Sequence, residues 1–144
     1  MTNGKTIKKM KKSNKKYNIH KTVKVKLSGI HKDKRGNIIN ISNELIRSCA
    51  LIKSKKNSIR ANHYHKKDWH YCYVIKGKIE YHHRKHGLKT KPKKIIIKTG
   101  ELFFTPPMVD HAMKFLEYTE FITLGRGSRK KINYDKDTKK IILI

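Results

Sequence analysis

Almost everything after the first twenty or so residues reads as short apolar-bearing runs separated by turn residues. Val23, Val25 and Leu27 alternate with lysine, Asp33-Lys34-Arg35-Gly36 makes a turn, and Ile38 to Ile41 resumes the extended pattern. Further runs cover 46–53, 58–65, 69–75, 78–84, 94–98, 101–105, 111–115 and 120–124, with turn-forming residues between them. A period of two is the signature of half-buried strands, and no stretch shows a convincing helical period. Lys76-Gly77 reads as a tight hairpin turn, and the prolines at 92, 106 and 107 fall between strands. About ten short strands without an internal repeat predict an all-β domain, either a sandwich or a double-sheet jelly roll.

Composition adds an arm to that domain. The chain has 144 residues, enough for one domain with a modest core, and carries a formal charge of +27. Its first 26 residues hold ten lysines and no acidic residue, so residues 1–20 read as a disordered basic arm and 21–144 as the folded domain. The charge predicts nonspecific attraction to polyanions. The lysines are spread along the chain, however, and no nucleic-acid-binding motif is present. No apolar run reaches the roughly 20 residues of a membrane span. The start lacks the apolar stretch of a secretory signal, which predicts a cytoplasmic protein. Cys49 and Cys72 read as two reduced, buried thiols, with Cys72 on the same strand face as His70.

Histidines carry the candidate chemistry. His63 and His65 share a strand face, His70, Cys72 and Val74 form a second same-face row, and His111 follows later. Three imidazoles are thus expected to meet inside one hairpin. Converging neutral imidazoles can hold iron, zinc, nickel or another divalent transition metal, with His63, His65, His70 and His111 as ligands. A single histidine can instead act as a general base beside a carbonyl, which requires no cofactor.

The spacing of these residues resembles the cupins. Their first motif is His-x-His, four residues, Glu, six residues, Gly; here His63, His65, His70 and Gly77 occupy those places, with histidine where glutamate is usual. The second motif is matched by Gly100, Pro106 and His111, while Met108 and Phe115 replace the usual Gly and Asn. The resemblance implies a cupin-type double-stranded β-helix.

A closer likeness runs from Asp33-Lys34-Arg35-Gly36 through Arg60-Ala61-Asn62-His63-Tyr64-His65 to Gly100–Met108. It is to small cupins of nucleotide-sugar biosynthesis related to dTDP-4-dehydrorhamnose 3,5-epimerase, whose motif Arg60 and His63 match. The dTDP-keto-sugar 3,4-ketoisomerases are similar through a His-Ala-His pair that His63-Tyr64-His65 mirrors. The resemblance implies an epimerase or ketoisomerase with a nucleotide-sugar substrate and a His63 or His65 base. On this reading Arg60 holds a phosphate or sugar oxygen. A tyrosine, Tyr71 or else Tyr73 or Tyr81, returns the proton, and Trp69 stacks on the nucleotide or closes the barrel. Asp68 and Asp110 are candidates to orient the base, both expected at the surface. Phe103, Phe104 and Phe115 are expected in the core or at a homodimer interface, and Tyr64 points away from the histidines. A metal-binding cupin with an oxygenase, lyase or sensory ligand-binding role is the alternative.

Overall fold

The structure, a computed structural model, describes residues 20–144. The expected basic arm lies outside the described residues except for His20. Strands β1 (Lys24–Val25), β2 (Ser28–Asp33), β3 (Gly36–Asn40) and β4 (Ser48–Ser54) lead into β5 (Ile59–His65), β6 (His70–Lys76) and β7 (Lys78–Lys85). They are followed by β8 (Lys93–Lys98), β9 (Leu102–Thr105), β10 (Val109–Phe115), β11 (Thr119–Gly125), a helix α1 (Lys131–Asp137) and β12 (Thr138–Lys140).

Two five-stranded antiparallel sheets face each other, in the orders β1-β9-β6-β11-β4 and β12-β5-β10-β7-β8; β2 and β3 form a separate hairpin. From β4 to β11 the chain changes sheet at every connection except that between β7 and β8. That winding makes a double-stranded β-helix, the expected fold class.

It also corrects one turn. Lys76-Gly77 is not a hairpin, because β6 pairs with β9 and β11 while β7 pairs with β8 and β10. Gly77 is the corner where the chain leaves one sheet for the other. Its φ is +115°, and an added Cβ would lie 2.7 Å from the Tyr118 carbonyl oxygen, so neither the backbone nor the space admits a side chain.

Strict alternation fills the space between the sheets. Cys72 and Val74 of β6, Ile79 and Tyr81 of β7, Ile97, Phe103, Met113 and Phe115 meet Phe121 in one buried cluster. Burying side chains of this size contributes roughly 1.5–3 kcal/mol each. The first sheet is covered on its outer face too: Trp69, Tyr71, Leu102 and Phe104 pack under Val25, Leu27, Ile41 and Ile46. Both faces of β9 are therefore buried, which explains its uninterrupted Leu-Phe-Phe-Thr run.

Two further expectations are corrected. Cys72 is buried, but Cys49 is exposed; both are free thiols. No stretch of the sequence predicts a helix, yet α1 forms after β11. It buries none of its residues, so it leaves no apolar period to read. Among the described residues no helix is long and apolar enough to cross a membrane.

Candidate active site

The bend in β5 creates the site. Ala61 and Asn62 take φ of 67° and 52°, and the register against β10 slips between His111 and Ala112, leaving Asn62 as the extra residue. This bulge sets His63 opposite His111. Asn62 is held in its left-handed conformation by the end of the chain: its Oδ1 accepts from the Leu143 and Ile144 amides, at 3.0 and 3.3 Å.

Four imidazoles converge inside the barrel. Ring centroids lie 4.7 Å apart for His63 and His65, 4.6 Å for His63 and His111, and 4.6 Å for His65 and His70. One nitrogen each of His63, His65 and His111 lie within 4.8 Å of one another, and the same holds for ligand atoms of His65, Asp68 and His70. The expectation of one hairpin is corrected here. β5 and β6 belong to different sheets, so the cluster bridges the two layers.

Hydrogen bonds fix two of the rings. A carbonyl can only accept, so His111 Nδ1, 2.9 Å from the Val109 oxygen, carries the proton and leaves a lone pair on Nε2. His65 Nδ1 faces the Asp137 carboxylate and the Thr138 hydroxyl, each at 3.3 Å, with the same result. Asp68, on the opposite side, has Oδ2 3.2 Å from His70 Nε2, without the alignment of a hydrogen bond. Its Oδ1 accepts from the Trp69 and Gly127 amides at 2.8 and 2.7 Å.

Burial sets the charge state. It lowers the His63 pKa to about 4 and that of His111 to about 3, with neighbouring imidazoles adding to the effect. His65 is driven lower still, by burial first and then by His70 and His111. These three rings are therefore neutral at pH 7. Burial pushes the Asp68 carboxyl up, but the His70 ring and the two amides outweigh it and hold the group below its ordinary value. The Cys72 thiol, in the cavity wall, is pushed up to about 12 by burial and stays protonated.

The cavity around the histidines has a volume of about 150 Å³. Cys72, Phe103 and Met113 form apolar wall, Thr105 and Thr123 add hydroxyls, and Arg60, Arg129 and Tyr134 also line it. The Tyr134 ring lies 6.4 Å from His63 and 5.9 Å from His65, and Arg129 sits 5.2 Å from the tyrosine ring. Arg60 is partly engaged, donating from Nε to Ser54 Oγ at 2.7 Å and from Nη2 to the Lys53 carbonyl at 3.1 Å.

Several expected residues lie elsewhere. Tyr71 alternates to the outer face of β6, where its hydroxyl is 2.7 Å from His20 Nε2, so it does not reach the histidines. Trp69 is buried in the same outer cluster and offers no ring to a ligand in the cavity. Tyr73 packs there too, and the Tyr81 hydroxyl is tied to Thr105 Oγ1 at 2.8 Å. Asp68 and Asp110 are both buried rather than at the surface. Asp110 pairs with Arg84 and His86 outside the cavity, at 3.1 and 2.7 Å. Tyr64 does turn away, stacking on His86. The groups that the sequence did not disclose, Arg129, Tyr134 and Asp137, come from the segment after β11, where no motif marks them.

The donor set fits a transition metal. It includes the neutral imidazoles of His63, His65 and His111, the last two held by a carboxylate or carbonyl behind the ring, as metal-binding histidines usually are.

Comparison with known proteins agrees with this architecture. The model of the cupin domain family matches residues 51–124. The fold is similar to that of dTDP-4-dehydrorhamnose 3,5-epimerase from Sulfolobus tokodaii, with TM-score 0.61, 18% identity, and 78% of this chain and 72% of that chain covered. A sugar 3,4-ketoisomerase from Thermoanaerobacterium thermosaccharolyticum, solved with TDP, gives TM-score 0.64, 17% identity, and coverage of 82% and 85%. The TDP-quinovose 3,4-ketoisomerase from Campylobacter jejuni gives 0.63, 18%, and 75% and 90%. A sequence comparison with the curated proteins finds no match.

Proposed function

This chain belongs to the cupin domain family, and from that premise we propose that it is an epimerase or isomerase of a nucleotide-linked keto sugar, moving a proton at the carbon beside the ketone. The observation that carries the reading is His63. It is half-buried, neutral at pH 7, and shares the cavity with Tyr134 and Arg129. The likeness to the epimerase and the ketoisomerases supports the substrate class.

In the proposed reaction an imidazole nitrogen of His63 accepts the proton from the carbon, and the C–H electron pair passes to the ketone oxygen as an enolate. Arg129, with Arg60, supplies positive charge for that oxygen. Tyr134 takes the role expected of Tyr71, donating a proton as the enolate collapses. His65, oriented by Asp137, positions the neighbouring ring. Incubation with dTDP-4-keto-6-deoxyglucose in deuterated water tests this: deuterium should enter beside the ketone, and His63→Ala should abolish it. No exchange with any keto-sugar nucleotide overturns the reading.

A second reading is favoured by the three imidazole nitrogens within 4.8 Å of one another. His63, His65 and His111, with His70 as a fourth, would hold a divalent transition metal, which when bound would polarise a carbonyl as a Lewis acid. The signature of this reading is metal that survives dialysis and is lost in His111→Ala, in a protein that catalyses no exchange. It would then favour an oxygenase, lyase or sensory role.

We propose a cytoplasmic homodimer as the working state. The edge strand β4 exposes Leu51, which a second copy would cover. Size-exclusion chromatography at micromolar concentration tests the oligomeric state.

A further inference from the structure

We propose that a second, cationic cleft beside the histidine cavity is a diphosphate-binding subsite, formed by Arg47, Lys66, Lys67 and Arg126. The cleft has a volume of about 440 Å³ and is separate from the cavity, but Tyr134 lines both. The two are therefore adjacent, and on this proposal a ligand with its phosphates in the cleft extends past Tyr134 towards the imidazoles. The identity of the attached sugar rests on the function proposed above; the anion site rests on the cleft itself.

The four cations arrive on three segments, each fixed by its backbone. The Arg47 amide donates to the Gly125 carbonyl at 3.0 Å, and the Arg126 amide to the Trp69 carbonyl at 3.2 Å. The Lys66 amide donates to the Asp137 carbonyl at 2.9 Å, and the Lys67 amide to Asp137 Oδ1 at 2.8 Å. The main chain is held, while the side chains of Arg47, Lys66 and Lys67 form no ion pair among the described residues. Two carboxylates also line the cleft, Asp68 and Asp137; each already accepts two backbone amides, and Asp137 also faces the His65 ring.

Charge selects the ligand. Four cations less two carboxylates leave a net charge of two positive on the cleft, which matches the two negative charges of a diphosphate diester at neutral pH. Guanidinium forks and ammonium groups together are the usual partners of phosphate oxygens. The lysines of β8 lie on an edge strand and do not line this cleft, so the general basicity of the chain makes a different prediction from this site.

Calorimetric titration with inorganic pyrophosphate and with dTDP, at ~0.15 M salt so that diffuse attraction is screened, separates the two. The double variant Arg47→Ala/Lys67→Ala should weaken binding of both probes by roughly tenfold per cation removed, while Lys93→Ala/Lys94→Ala on β8 should leave it unchanged. Because all four side chains are exposed, the fold should survive, as circular dichroism would verify. Equal weakening in both double variants, or no binding by the wild type, overturns the subsite. The exchange assay keeps the two proposals apart. Wild-type exchange whose KM does not rise in the cleft variant removes the subsite and leaves the reaction. Pyrophosphate and dTDP binding that the cleft variant loses, in a protein without exchange, does the reverse.

Discussion

His65 Nδ1 lies 3.3 Å from Oδ2 of Asp137, a carboxylate 72 residues further along the chain. The same carboxylate accepts the amides of Lys67 and Asp68, at 2.8 and 3.3 Å. One side chain thus ties the turn after β5, the ring in the barrel and the segment bearing Tyr134. Removing it in Asp137→Ala strands these donors and should cost about 1–3 kcal/mol in urea denaturation. Asp137→Asn keeps the size and one acceptor oxygen, so it should lose less stability. Its weaker hold on His65 should still slow deuterium exchange roughly tenfold.

Acid should unfold the protein through its histidines. The folded-state pKa values of His63 and His111, about 4 and about 3, and the still lower one of His65, lie below the unfolded value of about 6.5. A depressed pKa means that the unfolded chain binds protons first. The stabilising contribution is therefore complete above pH about 6.5 and is lost as pH falls towards and through the folded values. Between the unfolded and folded values the slope approaches about 1.4 kcal/mol per pH unit for each ring. Urea midpoints measured with EDTA should be level from pH 8 to 7 and fall steadily from 6.5 to 4.5. His111→Gln should flatten that fall by one histidine.

The two thiols should differ sharply in reactivity. Cys49 is exposed, whereas Cys72 is buried with its pKa raised to about 12. A disulfide reagent at pH 8 should therefore label one thiol per native chain within minutes, and two after denaturation. Native labelling of Cys49→Ser at the wild-type rate would contradict the placement of Cys72.

Gly77 should be intolerant. Its positive φ and the close approach of Tyr118 and Thr119 combine at the corner between sheets, so Gly77→Ala should destabilise the fold by at least about 2 kcal/mol. Gly87 offers a control. It also has positive φ, but an added Cβ there would meet nothing within 4 Å, so Gly87→Ala should cost only the backbone penalty of about 1 kcal/mol. Thermal denaturation of the two variants measures the difference.

Much of the barrel was legible because alternation is local. Strands β4 to β11 fall within a few residues of the apolar runs, and the parity of His63, His65 and His70 shows in their spacing. Which strand pairs with which is nonlocal: Lys76-Gly77 has the composition of a hairpin turn, and only the sheet order makes it a corner. Parity also explains Tyr71. It neighbours His70, and adjacent strand residues point to opposite faces, so the same rule that found the histidines excludes it. Arg129, Tyr134 and Asp137 left no trace because a segment that buries little carries no period.

Replacing one tyrosine at a time puts the two candidate acids in competition. Tyr134 lines the cavity with its ring 6.4 Å from His63, while Tyr71 is on the outer face of its sheet with its hydroxyl 2.7 Å from His20. Each Tyr→Phe change removes one oxygen and preserves the ring, so packing is largely kept in both. If the proton donor is Tyr134, Tyr134→Phe should lower the rate of deuterium exchange by about 10²-fold or more, within the range for general acid catalysis. Its affinity for dTDP should change little. Tyr71→Phe should leave exchange within about twofold of wild type and cost about 1 kcal/mol of stability through the lost hydrogen bond. Rates in the opposite order would move the reacting carbon away from the histidine cavity and remove the role proposed for His63.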